Sequence, residues 1–422
     1  MLDIELIRTQ PDVIREAIRR RQREDYLKTL DDLIATDKRW RDATTQVRDM
    51  RAKRNKVSDE IARMKGAEKE KAIAEMKLLA NEIKARESEL TELENKRNEL
   101  LLLLPNSPHP DVVSGLTEEE NKVVRFHGEK RGFKFQPKDH IDIAEKLDLI
   151  DVERAAKVSG ARFYYLKGDL VHMEIALIKH ALNTLEKNGF KVLLTPMLVH
   201  ERALMGTGFL PTGRDDLYKI ENEDLFLIGT SEVTMAAMHM DEVFEEDELP
   251  KHYGGFSACF RTEAGAHGRD TKGIFRVHQF EKVEMFKFTH PSKSWDEHEH
   301  TIKVAEEFVA SLGLHYRVVD VCTGELGASA ARKYDIEVWL PGQGKYREAG
   351  SCSNCTDFQA RRLNVRYRDR KDGKLKFVHT LNSTTMATTR TLVAIMENYQ
   401  NEDGSVTIPK VLVPFMGKDR IG

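Results

Sequence analysis

The chain has 422 residues, 40% of them hydrophobic and 32% charged, with 67 Lys and Arg against 70 Asp and Glu for a net charge of −3. That length supports a large core shared between two or three domains, and the balanced charge excludes a globally basic nucleic-acid binder, so any RNA contact must come from local patches. No uncharged apolar run reaches the roughly 18 residues of a membrane span. The N-terminus lacks a secretory apolar region, and four cysteines in so long a chain give no disulfide framework, so a cytoplasmic setting is expected.

Residues 1–24 read as a short first helix, with Pro11 near its start and an apolar stripe of Val13, Ile14, Ala17 and Ile18. Arg19-Arg20-Arg21 reads as its solvated end. A heptad pattern follows through Leu33, Thr36, Trp40, Ala43, Val47, Met50, Arg54, Val57, Ile61 and Met64. It breaks around Lys65–Glu70 and resumes as Ala72, Met76, Leu79, Ile83, Arg86, Leu90, Leu93, Arg97, Leu100 and Leu104. The two seams mirror one another about residue 68 or 69, so that Trp40 opposes Arg97, Val47 opposes Leu90 and Val57 opposes Leu79. The spacing predicts an antiparallel two-helix coiled coil over about 30–104, each helix about 32 residues and about 48 Å long. Its first helix carries Lys38, Arg39, Arg41, Arg48, Arg51, Lys53, Arg54 and Lys56 against Asp37, Asp42 and Asp49. That basic flank suits sugar-phosphate, and equally suits a structural coiled coil kept soluble by its charges.

Pro105, Pro108 and Pro110 end the helical pattern and place a boundary between an N-terminal domain, 1–110, and a second domain, 111–422. Residues 111–140 read as polar connection. Residues 171–188 form an amphipathic helix stopped by Gly189, and Lys191–Pro196 a strand. Gly206–Pro211 reads as a loop at a site rim. Strands and turns continue to residue 290, then a helix at roughly 292–312 and strands at Tyr316–Cys322 and Ile336–Leu340. Neither a dinucleotide nor a P-loop glycine motif is present, and the irregular alternation favours an α+β fold on an antiparallel sheet. Cys352 and Cys355 have the spacing of half a zinc site, with no second pair nearby, so no structural zinc is expected.

The chemistry concentrates in residues 260–286, FRTEAGAHGRDTKGIFRVHQFEKVEMF. Alternation puts Arg261 and Glu263 on one face of the first segment, and Arg276, His278, Phe280, Lys282 and Glu284 on one face of the second. Paired as a hairpin, they form a floor of arginines, carboxylates and an aromatic ring. That set suits a ligand with phosphates, a flat base and an amino group, or is a solvated hairpin with salt bridges. Two further stretches tip the balance. Gly229-Thr230-Ser231-Glu232 follows an apolar run, and Asn382-Ser383-Thr384-Thr385-Met386-Ala387-Thr388-Thr389-Arg390 leads into an amphipathic helix.

On these residues the chain resembles class II aminoacyl-tRNA synthetases, and over nearly its whole length the seryl-tRNA synthetase family. FRTE…RVHQFEKVE is similar to motif 2, Thr-Ser-Glu to the serine-binding loop, and Arg390 stands where motif 3 places its arginine. The helix and strand at 171–196 resemble motif 1, which builds a dimer interface, so a homodimer is implied. The resemblance implies that ATP and L-serine form seryl-adenylate and pyrophosphate, after which the seryl group passes to the 3′ end of tRNA(Ser), with tRNA(Sec) left open as a second acceptor. It implies that Arg261 holds the α-phosphate and the serine carboxylate, and that Thr262 and Glu263 contact ATP, Glu263 at the adenine edge. Phe280 would stack on the base beside Val277, and Arg390 would reach the γ-phosphate. Glu348 and Ser351 would coordinate Mg²⁺, with Ala349 and Gly350 lining the ATP. Thr230, Ser231, Glu232, Arg261, Glu284, Asn382 and Thr384 would make the serine pocket. The N-terminal arm would bind the long variable arm of the tRNA, and Arg269, Lys272, Arg361 and Arg362 would meet its acceptor end or serve as exposed solubilising charge. Ser383, Thr385 and Thr389 stand where bacterial members carry glycine, as in archaeal and eukaryotic relatives, so the local backbone is expected to differ. Two alternatives stay open: a catalytically silent paralogue acting as an RNA-binding or regulatory protein, and a class II ligase for another amino acid.

Overall fold

The computed structural model describes residues 1–265, 268 and 270–422, and the chain divides into two compact units. One comprises Leu2–Arg19 and Arg23–Pro105; the other comprises Met1, Arg20–Gln22 and Asn106–Gly422.

The smaller unit is helical. The expected first helix is two pieces, Ile4–Thr9 and Pro11–Arg20. Proline lacks the N–H and disfavours helical backbone in the residue before it, so the break falls at Gln10. Helices α1 (Asp25–Ile61) and α2 (Gly66–Leu103) run antiparallel, longer than expected because the tip is only the four residues between them. The mirrored seam is confirmed at Trp40, whose ring lies 4.0 Å below the Arg97 guanidinium. Arg86, read on the seam, is exposed; its neighbour Glu87 is half-buried and crosses to Arg51 at 2.6 Å. Asp37, read as a surface acid, is buried and holds both Arg8, at 2.7 and 2.8 Å, and Arg41, at 3.0 Å.

The larger unit is built on an eight-stranded sheet. In chain order its elements are β1 (Lys122–His127), α3 (Asp169–Lys187), β2 (Lys191–Leu194), α4 (Glu232–Ala237), β3 (Lys251–Phe260), β4 (Gln279–Thr289), α5 (Ser294–Ser311), β5 (Tyr316–Asp320), β6 (Arg332–Leu340), β7 (Lys345–Thr356), α6 (Phe358–Leu363), β8 (His379–Ala387) and α7 (Thr388–Tyr399). The spatial order is β1-β5-β6-β7-β8-β4-β3-β2. All pairings are antiparallel except β2 with β3, so the sheet is of the antiparallel α+β kind. β1 lies inside the stretch read as polar connection; as an edge strand it buries little and carries no clean alternation. One sheet face packs on α3, α5 and α7, with Val283 and Met285 of β4 in that core. The alternate residues Phe280, Lys282 and Glu284 face the other way into an open cavity.

Arg21 corrects the reading of a solvated arginine run. It is 3% exposed, and its guanidinium donates to the carbonyls of Asn106 at 2.6 Å and Leu326 at 3.1 Å.

Candidate active site

Two β-bulges set which side chains reach the cavity. On β7, Ile336 pairs with Gly350 and Glu337 with Glu348, so Ala349 is the extra residue. A bulge shifts the period-2 alternation by one, which brings Glu348 and Ser351 to the same face three residues apart. On β8 the register shifts between Thr384 and Met386, which keeps Met386 in the core and returns Ala387 to the cavity face.

The motif-2-like segments pair as expected, but only Lys251–Phe260 and Gln279–Thr289 are strands. The pairing extends one step further, with Arg261 N–H donating to His278 O at 2.9 Å. Beyond it the chain is irregular, and Glu263 takes a left-handed φ of 53°. Glu263, Arg276 and Val277 therefore enter the cavity from loop backbone, not by strand alternation. Arg276 pairs with Glu263 at 2.6 Å.

The cavity measures about 240 Å3. At one end Arg390, in the first turn of α7, lies 3.3 Å from the Glu348 carboxylate and 5.1 Å from the Phe275 ring centroid. The cavity walls desolvate the Glu348 carboxyl only in part, its side chain being 45% exposed, and Arg390, Lys333 and Arg261 outweigh that upward push and hold the group below the usual carboxylate range. An ionised carboxylate beside a hydroxyl is a hard-oxygen donor pair of the kind Mg²⁺ takes, so Glu348 and Ser351 fit that ion. Near the middle, Arg261 donates Nε to Gly229 O at 3.1 Å, with its guanidinium 5.3 Å from the Phe280 ring centroid.

The other end is a closed polar network. Lys282 Nζ donates to Thr230 Oγ1 at 2.7 Å and pairs with Glu284 at 2.6 Å. Thr384 Oγ1 donates to Glu284 at 3.2 Å. Asn382 Nδ2 lies 3.1 Å from Glu232 and 3.4 Å from Glu284. Burial first, then the nearby Glu284, raises the Glu232 carboxyl to about 7.

Most residues singled out from the sequence line this cavity: Thr230, Glu232, Arg261, Glu263, Val277, Phe280, Glu284, Glu348, Ala349, Gly350, Ser351, Asn382, Thr384 and Arg390. Two do not. Ser231, at the start of α4, is buried with its hydroxyl 3.4 Å from Gly255 O, and Thr262 hydrogen-bonds outward to the backbone of Asp215 and Asp216. Phe209 brings the loop read as a rim to the cavity. Sequence reasoning put Lys282 and Arg276 on the correct floor without assigning them a role, and missed Phe275. Arg362 donates to the Met205 and Leu210 carbonyls, and Arg361 to Asp357. Lys272 is exposed, and Arg269 lies outside the described residues. Cys352 and Cys355 point at different partners, the His298 carbonyl and the Asn382 side chain.

The serine and threonines in place of glycine take ordinary backbone conformations. None of Ser383, Thr385 and Thr389 has a positive φ. The close approach is made instead by Gly350 on the facing strand, where an added Cβ would stand 3.1 Å from Thr384 Cβ.

This sheet with these clustered arginines and carboxylates defines a class II aminoacyl-tRNA synthetase. Residues 217–399 match the tRNA synthetase class II core domain (G, H, P, S and T), and residues 1–108 the seryl-tRNA synthetase N-terminal domain. A serine–tRNA ligase of Fervidobacterium nodosum is 46% identical over 100% of this chain and 99% of its own length. The crystal structure of seryl-tRNA synthetase from Pyrococcus horikoshii complexed with ATP superposes with a TM-score of 0.95 at 44% identity, covering 100% of this chain and 99% of that one. Cytoplasmic serine–tRNA ligase from Naegleria fowleri in complex with AMP gives 0.89 at 39% identity, covering 100% and 98%. The chain belongs to the seryl-tRNA synthetase family.

Proposed function

We propose that this chain activates L-serine with ATP and transfers the seryl group to tRNA(Ser). The observation that carries the reading is the polar network of Thr230, Lys282, Glu284, Asn382 and Glu232 at one end of a cavity whose other end holds Arg390 and Glu348. The serine carboxylate is already a nucleophile at neutral pH, so no general base is needed. The barrier is the charge on the phosphates, and positioning with cationic stabilisation lowers it. Arg261 holds the α-phosphate and the serine carboxylate, Arg390 the terminal phosphate, and Phe280 the adenine face, with Glu263 at the base edge. Glu348 and Ser351 would hold Mg²⁺, which would supply further neutralisation of phosphate charge. Glu284 receives the serine ammonium and Glu232 its hydroxyl. The silent-paralogue alternative would dispense with Arg261, Glu348 or Arg390; all three line the cavity.

The surface of α3 and the edge strand β2 supports reading the protein as a homodimer. Ile175 is 59% exposed and Leu194 76%, with Val171, Met197 and Leu198 also exposed. Such a patch on an unpaired edge suits a second copy of the same surface. No helix among the described residues is long and apolar enough to cross a membrane. The direct test is charging of serine tRNA: the purified protein should esterify it with serine in the presence of ATP and Mg²⁺. Absence of charging by protein that exchanges pyrophosphate with serine would refute the transfer step.

A further inference from the structure

Gln359 lies in α6, outside every stretch singled out from the sequence for chemistry, and is fully buried. Its amide is used at both ends. Nε2 donates to Glu232 Oε1 at 2.8 Å and to Thr207 O at 3.1 Å, while Oε1 accepts from Thr380 Oγ1 at 2.7 Å. A flipped amide would set its oxygen against a carboxylate and a carbonyl, so these contacts fix one orientation. Glu232 is thereby gripped on both oxygens, Oε1 by Gln359 and Oε2 by Asn382 at 3.1 Å.

We infer that Gln359 is the positioning residue behind serine selection: it holds Glu232 in the orientation and acceptor form that the substrate hydroxyl requires. The inference rests on the serine-pocket reading above. The charged and titratable groups facing Glu232 are Glu284 and Lys282 from β4, Arg261 from the end of β3, and Cys355 from β7. Burial keeps the Cys355 thiol in its neutral form by pushing it up. Burial and Glu284 favour the protonated acid at Glu232. Against them the Gln359 hydrogen bond is the leading influence, ahead of Lys282 and Arg261. Without that bond the carboxyl would keep its proton to higher pH and offer a donor where a serine hydroxyl needs an acceptor.

The test is serine-dependent ATP–pyrophosphate exchange by the intact protein with Gln359→Met, which keeps the side-chain length and removes the amide, and with Gln359→Asn, which keeps the amide one methylene short. A charge-assisted hydrogen bond lost in a buried site predicts a roughly 10- to 100-fold rise in KM for serine. KM for ATP and kcat should stay within about threefold, because Gln359 lines neither end of the cavity. The midpoint of kcat/KM for serine should move upward in pH from its wild-type position. Gln359→Asn should fall between wild type and Gln359→Met, so a folding failure of the methionine variant still leaves a measurement. An unchanged serine KM and pH midpoint in either folded variant overturns the inference. Parallel losses in serine KM, ATP KM and kcat without a pH shift also overturn it, since they mark a structural role alone. Wild-type protein that exchanges with no amino acid overturns the serine-pocket reading itself, a result distinguishable from an active wild type beside an unaltered variant.

Discussion

Replacing Arg390 by alanine should abolish adenylate formation while the fold survives. In the free protein this side chain contacts the Glu348 carboxylate at 3.3 Å, the Glu348 carbonyl at 3.1 Å and the Phe275 ring at 5.1 Å, and remains 21% exposed. A half-open ion pair of this kind is worth at most about 1 kcal/mol of stability. In the proposed reaction the same guanidinium would face phosphate charge. Each charge-assisted hydrogen bond contributes about 1.5–3 kcal/mol, and removing one preorganised donor from a developing anion costs roughly 10²–10³ in rate. The loss should be compounded at Glu348, because Arg390 is the leading cation holding that carboxyl low, and its removal would shift the group back toward protonation and weaken the proposed Mg²⁺ site. Pyrophosphate exchange at saturating serine should therefore fall at least 100-fold, with the thermal unfolding midpoint lowered by no more than about 4 °C. Arg390→Lys should recover only part of the loss, since an ammonium supplies charge without the planar fork. Exchange within tenfold of wild type in Arg390→Ala would refute the assignment.

Further expectations concern the arm, the dimer and the core. Deleting residues 37–97 and joining the helix stubs by a short turn removes most of one compact unit; pyrophosphate exchange should persist near the wild-type rate while tRNA charging falls by orders of magnitude, and intact charging would disprove the arm's role. Leu194→Asp, on a side chain 76% exposed in the single chain, should leave the protomer folded and shift sedimentation from dimer to monomer; an unchanged dimer would exclude this face. Lys287, fully buried, bonds Glu297 at 2.6 Å, so Glu297→Ala should cost about 3–5 kcal/mol in denaturant unfolding by leaving a buried cation unpaired. The hydrogen bonds from His252 and Lys287 hold Glu297 near 2, below its ordinary 4.5. Its stabilisation is thus complete above about pH 4.5 and lost as the pH falls toward 2, a dependence that Glu297→Gln should flatten.

Much of this was legible because it is local and periodic. The coiled coil shows through a heptad seam, and the error at Arg86 arose because Glu87, one position on, carries the cross-helix pairing to Arg51. The cavity floor on β4 follows from strict alternation of Phe280, Lys282 and Glu284. Alternation fails where bulges or loops intervene. Glu348 and Ser351 share a face only because Ala349 is an extra residue, and Glu263 and Arg276 meet across irregular backbone. Gln359 was invisible for a different reason: its value lies in three partners on other elements, Thr207, Glu232 and Thr380, and no spacing near residue 359 encodes them. Ser231 shows the converse, a residue inside a recognisable motif whose hydroxyl turns away to Gly255.

The central claim is that one cavity binds ATP and serine and joins them. Amino-acid-dependent ATP–pyrophosphate exchange with Mg²⁺, run across all twenty amino acids on the intact protein, tests it most directly. Exchange should occur with serine and not rise above background with alanine, which leaves Glu232 without its hydroxyl partner. Folded protein that exchanges with no amino acid, or that prefers one other than serine, would contradict it.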